Sequence, residues 1–384
     1  MKINCVGKAP IIIKHLGTII DVQSTFHPIN IQFIDFNSAH KSALDFARDL
    51  YNKGARKFVF DCSFEGPALQ KEDGSSAPLD LYFQEFFNSC AESKVLFVTQ
   101  NLNGIDFFND KYSKYNGSRS VCYNFIIYSY KNRMDFLKSA GDRKKFIDRL
   151  GLYDDSKSKI LSLNNIAKPH RLVLYSLLNE YFRDDLDFVS FLARNLSVDI
   201  LESALTLLPD EEMIIRRQFQ NLLDFGPKYT KFEKDGVNPR QEGSFPTQLF
   251  SNTLLSLVTE SEFTSGSVRR VTEKSLKALA CGHELLMVGN PGTISYLEQM
   301  GFEISSAIFD NSYDSIVCPK GRIKSISENV KAIAELDVGE LNRRVKSRTE
   351  DKIHNIDNFL GSFRDFSECM KSELIFEMNE LMEN

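Results

Sequence analysis

Tryptophan is absent from the 384 residues, and none of the seven cysteines falls into a C-x-x-C pair. Cys5, Cys62, Cys90, Cys122, Cys281, Cys318 and Cys369 are odd in number and scattered. That pattern speaks against a disulfide framework and a zinc site, and it predicts reduced thiols in a cytoplasmic protein. The histidines form no H-E-x-x-H or H-x-H spacing. Long apolar runs are also missing. Apolar runs are short, such as Ile11-Ile12-Ile13 and Leu285-Leu286-Met287-Val288, whereas a membrane span takes about 18 apolar residues. No membrane span is expected. Met1-Lys2-Ile3-Asn4-Cys5 opens no apolar h-region, so export is not expected either. A G-x-x-x-x-G-K-[ST] run and an Asp-rich metal motif are lacking, which argues against a kinase or phosphatase. The net charge of −5 disfavours a general nucleic-acid binder but leaves room for a local basic cleft.

What is present describes a folded α/β chain. Apolar residues make up 42% and charged residues 26%, so disorder is not the main state. The length exceeds one ordinary core and predicts two domains. The 31 phenylalanines read as core packing. In the first third, strand-like runs (Lys8–Ile13, Asn30–Phe36, Lys57–Asp61, Lys94–Thr99, Cys122–Tyr128) alternate with helical spacings (Ser42–Tyr51, Leu79–Ala91). A polar stretch from Lys138 to Lys159 holds a helix over Arg143–Leu150 and a linker. A second unit opens at Ile160, with helix Arg171–Phe182, strand Leu254–Thr259, helix Glu273–Cys281, strand Leu285–Val288 and helix Thr293–Met300. Residues 197–225 read as helical or irregular, and 228–246 as a loop. A long amphipathic helix, Ile356–Met382, closes the chain. The alternation predicts mostly parallel sheets, two of them facing a cleft beyond their strand ends.

Two stretches stand out chemically. In Arg269-Arg270-Val271-Thr272-Glu273-Lys274-Ser275, Thr272 can cap the helix that follows. A helix start flanked by cations favours phosphate, and Glu273 can take a pair of ribose hydroxyls. A solvated helix start with ordinary charge pairs fits the same residues equally well. In Val288-Gly289-Asn290-Pro291-Gly292-Thr293, a strand turns tightly into a helix. Its glycines permit close backbone approach to a ligand, or serve the turn alone.

Taken together, Leu257-Val-Thr-Glu260, Val271–Leu279, Val288–Leu297, Gly301-Phe302 and Ser312-Tyr313-Asp314 resemble the donor domain of a glycosyltransferase-B enzyme. The type is common in phage and bacterial genomes. The Thr-Glu-Lys helix is similar to that of the α1,3-fucosyltransferases and, more loosely, of exostosin-like transferases. The resemblance covers residues 160 to 325, under half the chain, and does not specify the sugar. It implies two Rossmann-like domains: an acceptor-side domain over 1–152, with a crossover helix over 353–384 packing back on it, and a donor domain over 153–352. It also implies that Glu273 binds the nucleotide ribose and Lys274 the diphosphate. Arg171, opening the helix after the first donor-domain strand, meets the diphosphate as well. His170, Arg270, Thr272, Gly289 and Asn290 complete the expected donor site, with His170 equally readable as a helix-start polar residue.

The activity so implied is transfer of a sugar from a UDP- or GDP-linked donor to an acceptor hydroxyl, by a hexosyltransferase or a related enzyme. Inverting transfer needs a carboxylate base. Glu65, after a strand end and before Gly66-Pro67, is assigned that role. Asp61 is the alternative, though it reads more readily as a cap. Gln100, Asn101 and Asn103 are amide candidates for the acceptor. The Asp185-Leu186-Asp187 pair reads as solvated surface, and no metal or other cofactor is expected because Lys and Arg neutralise the leaving group. The acceptor is a glycan, a lipid-linked sugar, a protein or a hydroxymethylated pyrimidine in phage DNA. Arg143-Lys144-Lys145, Arg216-Arg217, Lys228, Lys231 and Lys234 are the groups available for DNA phosphates. A phage-encoded enzyme of this kind would work in the host cytoplasm. The competing class is a transferase-like binding protein that has lost activity.

Overall fold

The computed structural model describes residues 5–6, 31–35, 40–63, 66–71, 73–124, 140–152, 158–183, 185–234, 246–361 and 363–383. The expected strand Lys8–Ile13 and the end of the expected strand Cys122–Tyr128 lie outside them. The chain divides into two compact units. The first is Met1–Ser129 with Gly266–Arg270 and Asp365–Asn384, and the second is Tyr130–Ser265 with Val271–Arg364.

In the first unit, β1 (Cys5–Val6), β2 (Ile31–Asp35), β3 (Lys57–Cys62), β4 (Lys94–Thr99) and β5 (Arg119–Cys122) pair in sequence order, all parallel. Helices His40–Asn52, Pro78–Ser89 and Leu102–Tyr112 make the crossovers that parallel pairing requires. Strands β3 and β4 are near-continuous apolar runs, as strands covered on both faces must be. The phenylalanines do form the core. Phe58, Phe60, Phe83, Phe86, Phe87, Phe97 and Phe108 are buried, and most ring pairs meet edge-on or tilted at 5.1 to 5.7 Å.

In the second unit, β6 (Ser158–Ile166), β7 (Val189–Arg194), β8 (Thr253–Thr259) and β9 (Glu284–Val288) are parallel in the order β7-β6-β8-β9. Helix Pro169–Tyr181 links β6 to β7, and Glu273–Ala280 links β8 to β9. Strand β7 was not expected from the sequence, and neither was helix Leu102–Tyr112. Helix Ala140–Leu150, placed by the sequence with the first domain, packs on the short helix Thr247–Ser251 of the second unit.

The long C-terminal helix is two helices, Thr349–Leu360 and Phe363–Glu383. Gly361 separates them, its N–H closing onto Asp357 O at 2.8 Å. A Cβ there would sit 3.1 Å from that same carbonyl oxygen. Residues 365–384 belong to the first unit, where Lys94 Nζ donates to Glu380 O (3.0 Å) and Met370, Leu374 and Met378 are buried. No described helix is long and apolar enough to cross a membrane.

Candidate functional site

From β6 the chain moves outward to β7 and then returns to β8 on the other side of β6. Strand order therefore reverses between β6 and β8. In open parallel sheets, ligands bind beyond the C-terminal strand ends at such a reversal. Strand β6 also carries an irregularity between Asn164 and Ile166, close to that end.

Glu260, directly after β8, organises the three turns that meet there. Its N–H donates to Val288 O at the end of β9 (2.8 Å). Its carbonyl accepts from Arg171 Nη2 (3.0 Å) and lies 3.2 Å from His170 Nε2. Its carboxylate accepts from the Thr272 N–H (3.2 Å), Thr272 Oγ1 (2.6 Å) and Ser275 Oγ (2.7 Å). The residue is 4% exposed. Gly289 lies alongside: a Cβ at that position would stand 3.5 Å from Glu260 Cγ.

Thr272 caps helix Glu273–Ala280, as its place before the apolar run predicts. Its backbone is extended and its Oγ1 accepts from the Lys274 N–H at 3.4 Å. Lys274 Nζ also reaches that oxygen, at 3.5 Å. Glu273 and Lys274 are half-buried, and among the described residues neither makes an ion pair.

Helix Pro169–Tyr181 starts with proline in its first turn, where a missing N–H costs nothing. Arg171 is 5% exposed. Its guanidinium donates to Ile166 O (3.1 Å) and Glu260 O, while its Nε is buried with no partner among the described residues. Burial lowers the Arg171 pKa, against the pull of Glu260, Glu262 and Glu273. His170 is buried, and its pKa falls well below 6.5 through burial and the neighbouring Arg171, Lys168 and Lys274 charges, opposed by the Glu260 carbonyl.

The loop after Glu260 is clamped from several sides. Phe263 stacks on His170 (5.3 Å, 24°) and lies under the Arg322 guanidinium (4.4 Å). Arg322 is 1% exposed and donates to Thr264 O and Ile316 O, both at 2.6 Å. Asn290 Oδ1 accepts from the Thr264 N–H at 2.5 Å. The helix start at Thr293 is already occupied, since the Asp314 carboxylate takes the Thr293 and Ser295 N–H groups at 3.2 and 3.3 Å.

The expected acceptor-side residues lie in the first unit. Asp61 is buried at the end of β3 and accepts the Ser63 N–H at 2.9 Å, closing a turn. Gln100 is buried beside Gly66, where a Cβ would come within 2.7 Å of Gln100 Cγ. Asn101 Oδ1 accepts the Arg269 N–H (3.0 Å), and its Nδ2 donates to Ser267 O and Pro67 O (both 3.3 Å). Asn103 Nδ2 donates to Gly266 O. Asn101 and Asn103 therefore hold the segment Gly266–Arg270 in the first unit. Arg270 is buried within that unit, while Thr272, Glu273 and Lys274 belong to the second. Glu65 lies outside the described residues.

Other candidates are accounted for locally. Asp185 takes the Lys159 N–H at 2.5 Å, at the start of β6. Arg143 pairs with Asp357 (2.6 Å), Arg216 with Glu212 (2.6 Å) and Arg217 with Glu180. No group of three or more His, Cys, Asp or Glu able to hold a metal is found among the described residues. Glu260 lies within the Leu257-Val-Thr-Glu260 motif, but neither its role nor those of Phe263 and Arg322 are visible in the sequence. The only local signal for Glu260 is an acid directly after a buried strand. Its partners lie 12 to 90 positions away.

The fold and site together define a two-unit α/β protein with parallel Rossmann-like sheets and a charged switch point in the second. No family model and no curated protein matches the chain. One similar solved structure is described as trehalose-6-phosphate from E. coli bound with UDP-2-fluoro glucose. It is 15% identical, covers 90% of this chain and 72% of that one, and has a TM-score of 0.47. Another is an alpha,alpha-trehalose-phosphate synthase (UDP-forming) from Burkholderia vietnamiensis. It is 14% identical, covers 94% and 77%, and has a TM-score of 0.42.

Proposed function

We propose that the chain is a glycosyltransferase that moves a sugar from a UDP- or GDP-linked donor to an acceptor hydroxyl, by inversion and without a metal. One observation carries this reading. At the switch point of the second unit, Glu260 gathers two helix starts, and Glu273 and Lys274 beside them are half-buried and make no ion pair among the described residues. In this reading the Lys274 ammonium faces the leaving diphosphate and Glu273 takes the ribose hydroxyls. Fixed cations stabilise the charge that develops as the glycosidic bond breaks, which is the work a divalent ion does elsewhere. Glu65 takes the acceptor proton, because Asp61 is committed to its turn.

A glycan and a hydroxymethylated pyrimidine in DNA are both carried as acceptors: Arg143, Arg216 and Arg217 are paired with acids, while Lys144, Lys145, Lys228, Lys231 and Lys234 make no ion pair among the described residues. The test is a thermal-shift and turnover screen with UDP-, GDP- and CMP-sugars, followed by glycan and hydroxymethylated-pyrimidine DNA acceptors. Release of UDP or GDP with transfer to a hydroxyl acceptor supports the reading. Binding without turnover under every acceptor favours an inactive binding protein, and no binding removes the proposal.

A further inference from the structure

We infer that Glu260 is a positioning residue for Lys274, acting through the Thr272 hydroxyl; the inference rests on the proposed nucleotide-sugar reading. A hydroxyl has one proton to donate and two lone pairs to accept with. The Thr272 proton goes to Glu260 Oε2 at 2.6 Å. Both lone pairs then turn toward Lys274, one to its N–H at 3.4 Å and one to its Nζ at 3.5 Å. These two contacts are long, so they guide the ammonium and leave it able to close on an anion. Glu260 cannot swing away, because its other oxygen takes the Thr272 N–H and the Ser275 hydroxyl. The residue is buried and fixed at both of its backbone groups.

The polarity of this relay is what makes it testable. An amide at position 260 keeps the shape but presents an N–H where Oε2 stands. The Thr272 oxygen must then accept from the amide, and one lone pair is withdrawn from Lys274. Valine at 272 removes the hydroxyl altogether, while serine keeps it.

Calorimetric titration of the full chain with UDP and GDP, and with uridine and guanosine, reads the effect. Glu260→Gln and Thr272→Val should each weaken the preferred nucleoside diphosphate about tenfold, the scale of one charge-assisted hydrogen bond. The matching nucleoside should be unaffected, and the double variant should lose no more than either single one. Thr272→Ser should bind like wild type, and it carries the test with Thr272→Val if Glu260→Gln does not fold. Additive losses, equal losses for nucleoside and diphosphate, or Thr272→Ser behaving like Thr272→Val would overturn the relay. Wild-type protein that binds neither UDP nor GDP overturns the proposed function and the relay with it. Wild-type binding with every variant unchanged overturns the relay alone.

Discussion

His170 sits where a charge is hard to carry: it is 3% exposed, beside Arg171 and close to the Lys168 and Lys274 charges. Its pKa is depressed in the folded chain, so the unfolded chain binds more protons below about 6.5 and stability falls as pH falls. This group therefore makes the folded chain progressively less stable from pH 7 down to 5.5. Urea unfolding of His170→Gln across that range should show a flatter decline than wild type, and an unchanged slope would exclude the effect. Glu65→Gln should lower turnover by ~10²–10⁴ with donor affinity kept, while Asp61→Asn should be milder. A fully active Glu65→Gln protein would remove the base assignment. At this scale the sequence shows residues that act on their neighbours. Thr272 is visible as a cap because its partner is two positions on. Glu260 is not, because its carbonyl and carboxylate serve segments brought together only by the sheet.

At the scale of elements, what is legible follows burial. Strands β3, β4, β8 and β9 are apolar runs buried on both faces and stand out in the sequence. Strand β7 loses its burial toward Arg194 and follows the charged run Arg183–Asp187, so no continuous apolar run marks it. Helix Leu102–Tyr112 begins in Leu-Asn-Gly, residues that signal a loop when read locally. The C-terminal stripe runs through Gly361 without a change of period, so one helix was expected where the backbone turns. Gly66-Pro67 signals a turn in the sequence, but why position 66 must be glycine is visible only in space. Its φ is +51°, and a Cβ would come within 2.7 Å of Gln100 Cγ and 2.9 Å of the Asn101 N. Gly66→Ala should therefore cost roughly 1–3 kcal/mol in denaturant unfolding. A cost within a few tenths of a kcal/mol would mean that the turn relaxes freely.

For the whole molecule, two parallel α/β units follow from strand and helix alternation, and that much is plain in the sequence. The strand reversal between β6 and β8 is not, because it depends on which neighbour each strand chooses. The units also interleave along the chain, with Gly266–Arg270 and Asp365–Asn384 returning to the first. Asn101 and Asn103 hold the first of these segments, and no composition shift marks it. The account turns on a diphosphate bound at the reversal, against Lys274. The most direct measurement is calorimetric titration of wild type and Lys274→Ala with UDP- and GDP-sugars. Wild type should bind one of them, and Lys274→Ala should bind it about 1.5–3 kcal/mol more weakly, the scale of a hydrogen bond to a charged group. Equal affinity in the two proteins would contradict the account.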